Sequence, residues 1–260
     1  MINSKLRSIG LKLSWAVSNP DLFQTMTYLT KAVILAAGRG TRMGNLTDDI
    51  PKPMMRVKGM PILERILRGL VANGISEVMI VVGYRKEAII DHFGDGEGFG
   101  CRVSYVEQVI QDGTGKVVEL AKDFAADDPF LLSYGDILVP EESYAPLVNI
   151  AGFDGKLTVK INEDVRKGGA VFIEDGLVTD LIEKGGEDAP TSPYYNAGIY
   201  VFSPTIFDYT AKLELSPRGE YELTDAIKAQ VDDGLKLEAV ELSGDWADVR
   251  DPDVLEELNS

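Results

Sequence analysis

The sequence is poor in the residues that build disulfide frameworks and multi-histidine metal sites. Among its 260 residues there is one cysteine, Cys101, and one histidine, His92. A single cysteine excludes an internal disulfide and suits a reducing compartment, so we expect a cytoplasmic protein. A single histidine excludes a metal centre built from several histidines. We interpret both as incidental side chains of the core or the surface.

Long hydrophobic runs and an excess of positive charge are also missing. No apolar run approaches the roughly 20 residues that a membrane-spanning helix needs, so we expect no membrane partner. The chain has 26 lysines and arginines against 42 aspartates and glutamates, a formal net charge of −16. Because nucleic acids bind basic surfaces, this balance argues against a nucleic-acid partner. Any site for an anion must therefore concentrate its cations locally.

Apolar residues recur from Lys31 onward in a pattern that predicts an α/β fold. Near-continuous apolar stretches such as KAVILAA and EVMIVVG indicate buried strands. The segments between strands, among them MPILERILRGLVANG and GTGKVVELAKDFA, each predict one helix. Strands that alternate with helices are typical of an open, mostly parallel sheet with helices on both faces.

The second part of the chain has a different texture. After about residue 155 apolar and polar residues alternate, and Asp175-Gly176 is a hairpin signal, so we expect short strands in a smaller, mixed lobe. We predict one domain over residues 31–260, with halves at 31–150 and 151–250.

Residues 1–30 form an N-terminal extension whose nature the sequence leaves open. A helix, a disordered tail and a leader upstream of a start at Met26 are the three alternatives. The helix would carry an apolar stripe formed by Leu6, Ile9, Leu13 and Val17.

A glycine-rich, cationic loop follows the first predicted strand, in the stretch KAVILAAGRGTRMG. Ligands of open α/β sheets bind beyond the carboxyl ends of strands, and glycines let backbone N–H groups approach an anion closely. Arg39 and Arg42 add guanidinium groups that suit phosphate oxygens. The loop matches neither the Walker A pattern nor the dinucleotide fingerprint, because its third glycine, Gly44, comes one residue late for the latter.

A second motif follows shortly after the loop. In the stretch IPKPM, Pro51 and Pro53 bracket Lys52 and stiffen its backbone, which holds the ammonium group in place. Together, LAAGRGTRMG and PKPM resemble the signature of the nucleoside-diphosphate-sugar pyrophosphorylases, also called sugar-1-phosphate nucleotidylyltransferases. The resemblance extends from Lys31 to about Pro252 and does not cover residues 1–30.

The resemblance implies a Rossmann-like nucleotide-diphospho-sugar transferase fold and a set of roles for the first half of the chain. Arg42 and Lys52 match the catalytic arginine and lysine that contact the reacting phosphates. The stretch EQVIQDGTG supplies the glutamine and the Gly-Thr pair that read the base. The implied nucleotide-binding residues are Leu35, Ala36, Ala37, Gly38, Gly40, Thr41, Gln108, Gly113 and Thr114.

Two acidic residues match the family's magnesium ligands. Asp136 ends the stretch YGD, and Asp248 lies in GDWADVRDP, which resembles the family motif W-x-D-V-G. Mg²⁺ prefers carboxylate oxygens together with substrate phosphates. In this chain Arg250 replaces the family glycine, so the sequence leaves the local turn open, and a cation near the expected metal site is one consequence of the replacement.

The implied sugar pocket comes from the second half of the chain. The matching residues are Gly169, Glu183, Lys184 and Asn196. A carboxylate and an amide together accept and donate hydrogen bonds, which suits sugar hydroxyls. The stretch GEYELTDAI is interpreted as scaffold.

The implied reaction joins an NTP, expected to be UTP or dTTP, to a sugar 1-phosphate and releases pyrophosphate. The attacking phosphate oxygen is already an anion, so no general base is needed. Two alternatives stay open. One is a cytidylyltransferase acting on phosphocholine or an inositol phosphate, for which Tyr194 and Tyr195 could supply aromatic walls. The other is a non-catalytic nucleotide-sensing subunit. The oligomeric state, a homo-oligomer included, is not determined by the sequence.

Overall fold

A central sheet of nine strands organises the computed structural model, which describes residues 28–161, 163–183 and 189–260. The strand order is β5-β4-β1-β6-β11-β8-β12-β10-β9, and β9 also pairs with β11. The predictions for the helical stripe of residues 6–17 and for Lys184 lie outside the described residues. Within the ranges described, no helix is long and apolar enough to cross a membrane.

The first half of the sheet is parallel, as predicted. Strand β1 pairs in parallel with β4 on one side and β6 on the other, and β4 pairs in parallel with β5. The bounds are β1 Lys31–Leu35, β4 Glu77–Val82, β5 Arg102–Glu107 and β6 Phe130–Tyr134.

Helices connect these strands and bury their apolar stripes against the sheet. Helix α1, Ile62–Ala72, buries Ile62, Leu63, Ile66, Leu67 and Leu70 on one face. Helix α2 spans Lys86–Phe93. The predicted single helix over residues 113–125 is wrong, because the structure has two short helices, α3 at Thr114–Glu119 and α4 at Lys122–Ala125. Between them the N–H groups of Leu120 and Ala121 bond to carbonyls three residues back, which tightens the turn and ends α3.

The second half of the sheet is mixed and curls back on itself. Strand β11 lies antiparallel to β6, β8 and β9, so it joins the two halves of the molecule. The hairpin predicted at Asp175-Gly176 is confirmed, since both residues have positive φ angles between two paired strands. The bounds are β8 Gly155–Ile161, β9 Gly169–Glu174, β10 Leu177–Glu183, β11 Tyr194–Phe202 and β12 Leu237–Glu241.

Short elements complete the fold around the carboxyl end of β1. Two small sheets pair β2 with β3 and β7 with β13. The remaining bounds are β2 Arg56–Val57, β3 Met60–Pro61, β7 Ile137–Leu138, β13 Ala247–Asp248, α5 Ile206–Thr210, α6 Leu223–Asp232 and α7 Pro252–Asn259.

Two hydrophobic clusters fill the opposite faces of the sheet. One contains the apolar faces of α1 and α2, and the other contains those of α3, α5 and α6. Leu29 is 2% exposed and belongs to the first cluster, so the packed structure begins before residue 31. Helices on both faces of a sheet are the arrangement that the near-continuous apolar strands predict.

Candidate active site

The glycine-rich loop leaves β1 between two neighbouring strands. The Ala36 N–H group bonds to the Val81 carbonyl at 2.9 Å, and the Gly135 N–H group bonds to the Leu35 carbonyl at 2.9 Å. The loop then turns through residues 41–47, where the buried Met43 side chain anchors it to the core. Arg42 stays exposed, while the Arg39 guanidinium lies 5.2 Å from the centre of the Tyr84 ring. The loop therefore presents its backbone and its cations at the carboxyl edge of the sheet.

Lys52 is held beneath this loop by close packing. It is only 7% exposed, and a Cβ atom placed on Gly40 would lie 2.8 Å from the Lys52 Cβ atom. Its ammonium group is 2.5 Å from Asp136 Oδ2. The glycine at position 40 thus lets the loop rest on the lysine stem, and the ammonium group is directed at the end of β6.

The two acidic residues predicted as metal ligands lie side by side. Strand β13 pairs with β7 so that Asp248 stands opposite Ile137, and the Val249 N–H group donates to the Asp136 carbonyl at 3.0 Å. Burial and then the neighbouring Asp136 carboxylate raise the pKa of Asp248 to about 6, against the opposing charges of Lys52, Arg250 and Arg42. Two carboxylates far apart in the sequence therefore share one small, cation-lined volume.

This donor set suits a hard divalent cation. Both potential ligands are carboxylates, and a cation placed near a buried pair of carboxylates favours their ionised forms. In the part of the chain that the structure describes, no group of three or more histidine, cysteine, aspartate or glutamate side chains could hold a metal. Two carboxylates completed by substrate phosphates are a typical Mg²⁺ arrangement.

The loop predicted to read the base lies beside the glycine-rich loop. Gln108 follows β5, and its N–H group bonds to the Val82 carbonyl at 2.8 Å. Gly113 has a φ of +124°, and a Cβ atom there would lie 2.4 Å from the Tyr221 carbonyl oxygen. The Thr114 hydroxyl accepts a hydrogen bond from the Leu223 N–H group at 3.2 Å. The Gly-Thr pair is thus packed tightly against the segment that precedes α6.

Gln111 is a site residue that sequence reasoning missed. Its side-chain amide donates to the Ala37 carbonyl at 3.2 Å, which ties the base loop to the end of β1. The neighbouring Val109 and Ile110 are 83% and 71% exposed. A second glutamine three residues after Gln108 was the available signal, but its partner is visible only in three dimensions.

Three of the predicted sugar-binding residues, Gly169, Glu183 and Asn196, also come together. Glu183 stands opposite Gly169 in the β9–β10 pair, and a Cβ atom on Gly169 would lie 3.3 Å from Glu183 Oε2 and 3.4 Å from the Asn196 Cβ atom. The Tyr200 hydroxyl donates to Asn196 Oδ1 at 2.9 Å and fixes the amide. Because Gly169 has no side chain, there is room between the Glu183 carboxylate and the Asn196 amide.

Arg218 is the second residue that the sequence analysis missed. The stretch that follows it was interpreted as scaffold, yet its guanidinium lies 3.6 Å from Glu183 Oε1 and 2.7 Å from Glu222 Oε1. The Arg218 side chain is 36% exposed. It adds a cation to the sugar half of an otherwise acidic molecule.

Comparison with known proteins identifies the family to which this arrangement belongs. Residues 31–260 match the family model described as nucleotidyl transferase, and the chain belongs to that family. The family and the fold inferred from the sequence motifs are thereby confirmed.

Individual relatives agree with this assignment. The chain is 37% identical over 230 residues to the bifunctional protein GlmU of Methanococcus maripaludis, covering 88% of this chain and 53% of that protein. It is 34% identical over 229 residues to the UTP–glucose-1-phosphate uridylyltransferase AglF of Haloferax volcanii, covering 86% of this chain and 92% of AglF. The chain thus spans about half the length of its GlmU relatives.

Solved structures show the same fold. A Bacillus anthracis protein described as a glucose-1-phosphate thymidylyltransferase, in complex with sucrose, superposes with a TM-score of 0.77 at 26% identity, covering 88% of this chain and 93% of that one. A UDP-glucose pyrophosphorylase complexed with UDP-glucose superposes with a TM-score of 0.74 at 21% identity. The match covers 89% of this chain and 97% of that one.

Proposed function

We propose that the protein transfers a nucleotidyl group from an NTP to a sugar 1-phosphate, giving an NDP-sugar and pyrophosphate. The observation that carries this proposal is the meeting of Lys52, Asp136 and Asp248 beneath the glycine-rich loop. The relatives support it, because AglF is named as a uridylyltransferase and the B. anthracis protein as a thymidylyltransferase. UTP or dTTP is accordingly the expected nucleotide.

The central obstacle in this reaction is the approach of one phosphate to another. At about 4 Å and an effective dielectric constant of about 20, two like unit charges repel by roughly 4 kcal/mol. Lys52 and Arg42 supply fixed positive charge where the phosphates meet, and the glycine-rich loop offers backbone N–H groups to the leaving pyrophosphate. Mg²⁺ held by Asp136 and Asp248 would neutralise further phosphate charge when bound.

The sugar half of the site positions the nucleophile. Glu183 can accept hydrogen bonds and the Asn196 side-chain N–H groups can donate them, while the Asn196 oxygen already accepts from Tyr200 and Gly198. The two side chains can therefore fix sugar hydroxyls across the gap left by Gly169. The Arg218 guanidinium lies next to Glu183 and can approach the anionic end of the substrate. Catalysis then rests on orientation and charge neutralisation, and it needs no general base.

A substrate panel tests the proposal directly. The four common NTPs and dTTP are each combined with several sugar 1-phosphates in the presence of Mg²⁺, and pyrophosphate release is measured. We expect release with UTP or dTTP and at least one sugar 1-phosphate. Release from CTP with phosphocholine or an inositol phosphate would favour the non-sugar alternative, and NTP binding without any release would favour a sensing subunit.

Substitutions test the assigned roles. We expect Lys52→Ala and Asp136→Asn each to lower kcat by about a hundredfold or more, because each removes a charged side chain that is proposed to stabilise the transition state. Lys122→Ala is the matched control, since Lys122 is an exposed lysine of α4. Circular dichroism checks that each variant is folded, and Lys52→Gln replaces Lys52→Ala if the latter is not. Turnover within tenfold of the unsubstituted enzyme in folded variants would refute these roles.

A further inference from the structure

Tyr84, two residues beyond β4, contacts the glycine-rich loop and its continuation at three places. Its N–H group bonds to the Ala37 carbonyl at 3.1 Å, where the loop begins. The centre of its ring lies 5.2 Å from the Arg39 guanidinium, in the middle of the loop. Its hydroxyl donates to the Asp48 carbonyl at 3.0 Å, just after the turn of residues 41–47. One tyrosine at the carboxyl end of β4 thus spans the loop from its beginning to its end.

The neighbouring Arg85 reinforces this arrangement. Its backbone has a positive φ of 53°, a strained conformation for a residue other than glycine. Its guanidinium donates to the same Asp48 carbonyl at 2.8 Å, so both lone pairs of that oxygen are occupied. The end of the loop is therefore fixed to the two residues, Tyr84 and Arg85, that lead from β4 into α2.

The Arg39 guanidinium is oriented by this arrangement without being neutralised. Arg39 is exposed and lies between two glycines. Among the described residues the Tyr84 ring is its partner, and no carboxylate forms an ion pair with it. Arg68 also lies against a ring, 5.3 Å from the centre of Phe99, but its charge is paired with Glu64 at 2.8 Å. A cation–π contact holds a guanidinium and leaves its N–H donors available to an anion.

Arg39 and Lys52 lie on opposite sides of the loop. Strand β1, from which the loop departs, lies between β4 and β6. Lys52 contacts Asp136, just beyond β6, whereas Arg39 contacts Tyr84, just beyond β4. The reacting α-phosphate is proposed to lie at Lys52 and Asp136, so the β- and γ-phosphates of the NTP extend away from them over the loop. In a molecule of net charge −16, those phosphates need a cation of their own.

We propose that Arg39 binds the β- and γ-phosphates of the NTP, and that Tyr84 is the positioning residue that holds Arg39 for this contact. The proposal rests on the proposed function and adds two residues to its site. A guanidinium can bind two phosphate oxygens at once. A long side chain between two glycines loses conformational freedom when it binds, and the Tyr84 ring restricts that freedom before the nucleotide is bound.

Calorimetric titration of UTP and of UMP, each with Mg²⁺, tests both roles without requiring turnover. UMP lacks the β- and γ-phosphates, so its affinity should not depend on Arg39. We expect Arg39→Gln to weaken UTP binding at least tenfold and Tyr84→Leu at least threefold, while both variants bind UMP within twofold of the unsubstituted protein. Arg39→Lys keeps the charge and should restore part of the UTP affinity. Tyr84→Phe keeps the ring and should bind UTP within twofold.

Two control variants match these changes. Tyr209 of α5 also has a cation near its ring, Lys212 at 5.6 Å, and its hydroxyl donates to Asp233 at 3.0 Å. Tyr209→Leu therefore removes the same kinds of contact from the second half of the chain. Arg102→Gln removes the charge of a 73% exposed arginine of β5. Neither control should change UTP binding by more than twofold.

A double substitution separates positioning from general support of the loop. If Tyr84 acts through Arg39, Tyr84→Leu should weaken UTP binding less than twofold in the Arg39→Gln background. Losses that multiply independently would overturn the positioning role. A loss in Tyr84→Phe as large as that in Tyr84→Leu would also overturn it, because the hydroxyl and not the ring would then matter. Equal losses of UMP and UTP binding would mean that the substitutions disturb the whole nucleotide site, which contradicts the proposal.

These titrations are decided separately from the substrate panel. If the panel gives no pyrophosphate, the proposed reaction fails, but UTP binding still decides the role of Arg39. UTP binding that is unchanged in Arg39→Gln, or no UTP binding by the unsubstituted protein, contradicts the proposal. Arg39→Gln and Arg39→Lys alter an exposed side chain, so they remain informative if Tyr84→Leu does not fold.

Discussion

At the scale of the residue, small side chains decide where the loops of the site can rest. Gly40 allows the glycine-rich loop to lie on the Lys52 stem, and Gly169 separates Glu183 from Asn196. Gly113 is the most constrained, because it combines a φ of +124° with a backbone contact to Tyr221. A methyl group at any of these positions would displace backbone or a catalytic side chain.

Gly113→Ala should therefore destabilise the protein more than an alanine at an open glycine. Gly234 is the matched control, because its φ is +86° and nothing lies within 4 Å of a Cβ atom placed there. Gly234→Ala incurs backbone strain of about 1 kcal/mol, and Gly113→Ala incurs more, because a φ of +124° with a ψ of 165° is essentially restricted to glycine. Only Gly113→Ala adds overpacking, which costs a further ~1–3 kcal/mol. Denaturant unfolding measures the difference, and equal losses of stability would show that the Tyr221 segment moves away freely.

At the scale of the element, helices α1 and α2 are linked by a charged group at their interface. Burial would raise the pKa of Glu64, but hydrogen bonds from Arg68 and His92 outweigh it and leave this pKa below its ordinary value. The Glu64 carboxylate is 2.8 Å from Arg68 Nε and 2.9 Å from His92 Nε2. The link joins the two helices that cover one face of the sheet.

Glu64→Gln should remove an acid-sensitive part of the stability. Because the folded state lowers the pKa of Glu64, its contribution is present above about pH 4.5 and is lost as the pH falls through the lower, folded-state pKa. We expect the variant to be less stable by about 1 kcal/mol at neutral pH, with a difference that shrinks below pH 4.5. Thermal unfolding measured from pH 7 down to about pH 3 covers the range in which this loss is expected. The control Glu87→Gln changes an exposed glutamate of α2 and should show no such trend. A stability difference between Glu64→Gln and the unsubstituted protein that does not change with pH would contradict the argument.

At the scale of the whole molecule, one sheet joins the first half of the described chain to the second half. Strand β11 of the second half pairs directly with β6 of the first, and both hydrophobic clusters contain residues from each half. The active site is assembled across this junction, since Lys52 and Asp136 come from one half and Asp248 from the other. Neither half can present the full site alone.

We accordingly expect the two halves to unfold together. Thermal unfolding followed by far-ultraviolet circular dichroism and by calorimetry should give one coincident transition. A nucleoside triphosphate with Mg²⁺ should shift that whole transition upward, because it binds only the folded protein. Two separated transitions, with only one shifted by nucleotide, would show that the halves are independent domains.

The sequence by itself determined the features that depend on local pattern. Apolar periodicity predicted the parallel strands and helix α1, and the Asp175-Gly176 pair predicted a hairpin. The glycine-rich loop together with Lys52 indicated the family. These signals are local because the spacing of apolar side chains along a strand or helix, and the residue preferences of a turn, depend only on residues that are close in the sequence. Even here the break between α3 and α4 was missed, since it depends on a tightened turn that no residue type requires.

The tertiary structure alone decided which distant residues meet. The register of β13 against β7 places Asp248 beside Asp136, and the path before α6 brings Arg218 to Glu183 and Tyr221 to Gly113. Strand pairing between distant segments depends on complementary packing of the whole chain, which no single stretch encodes.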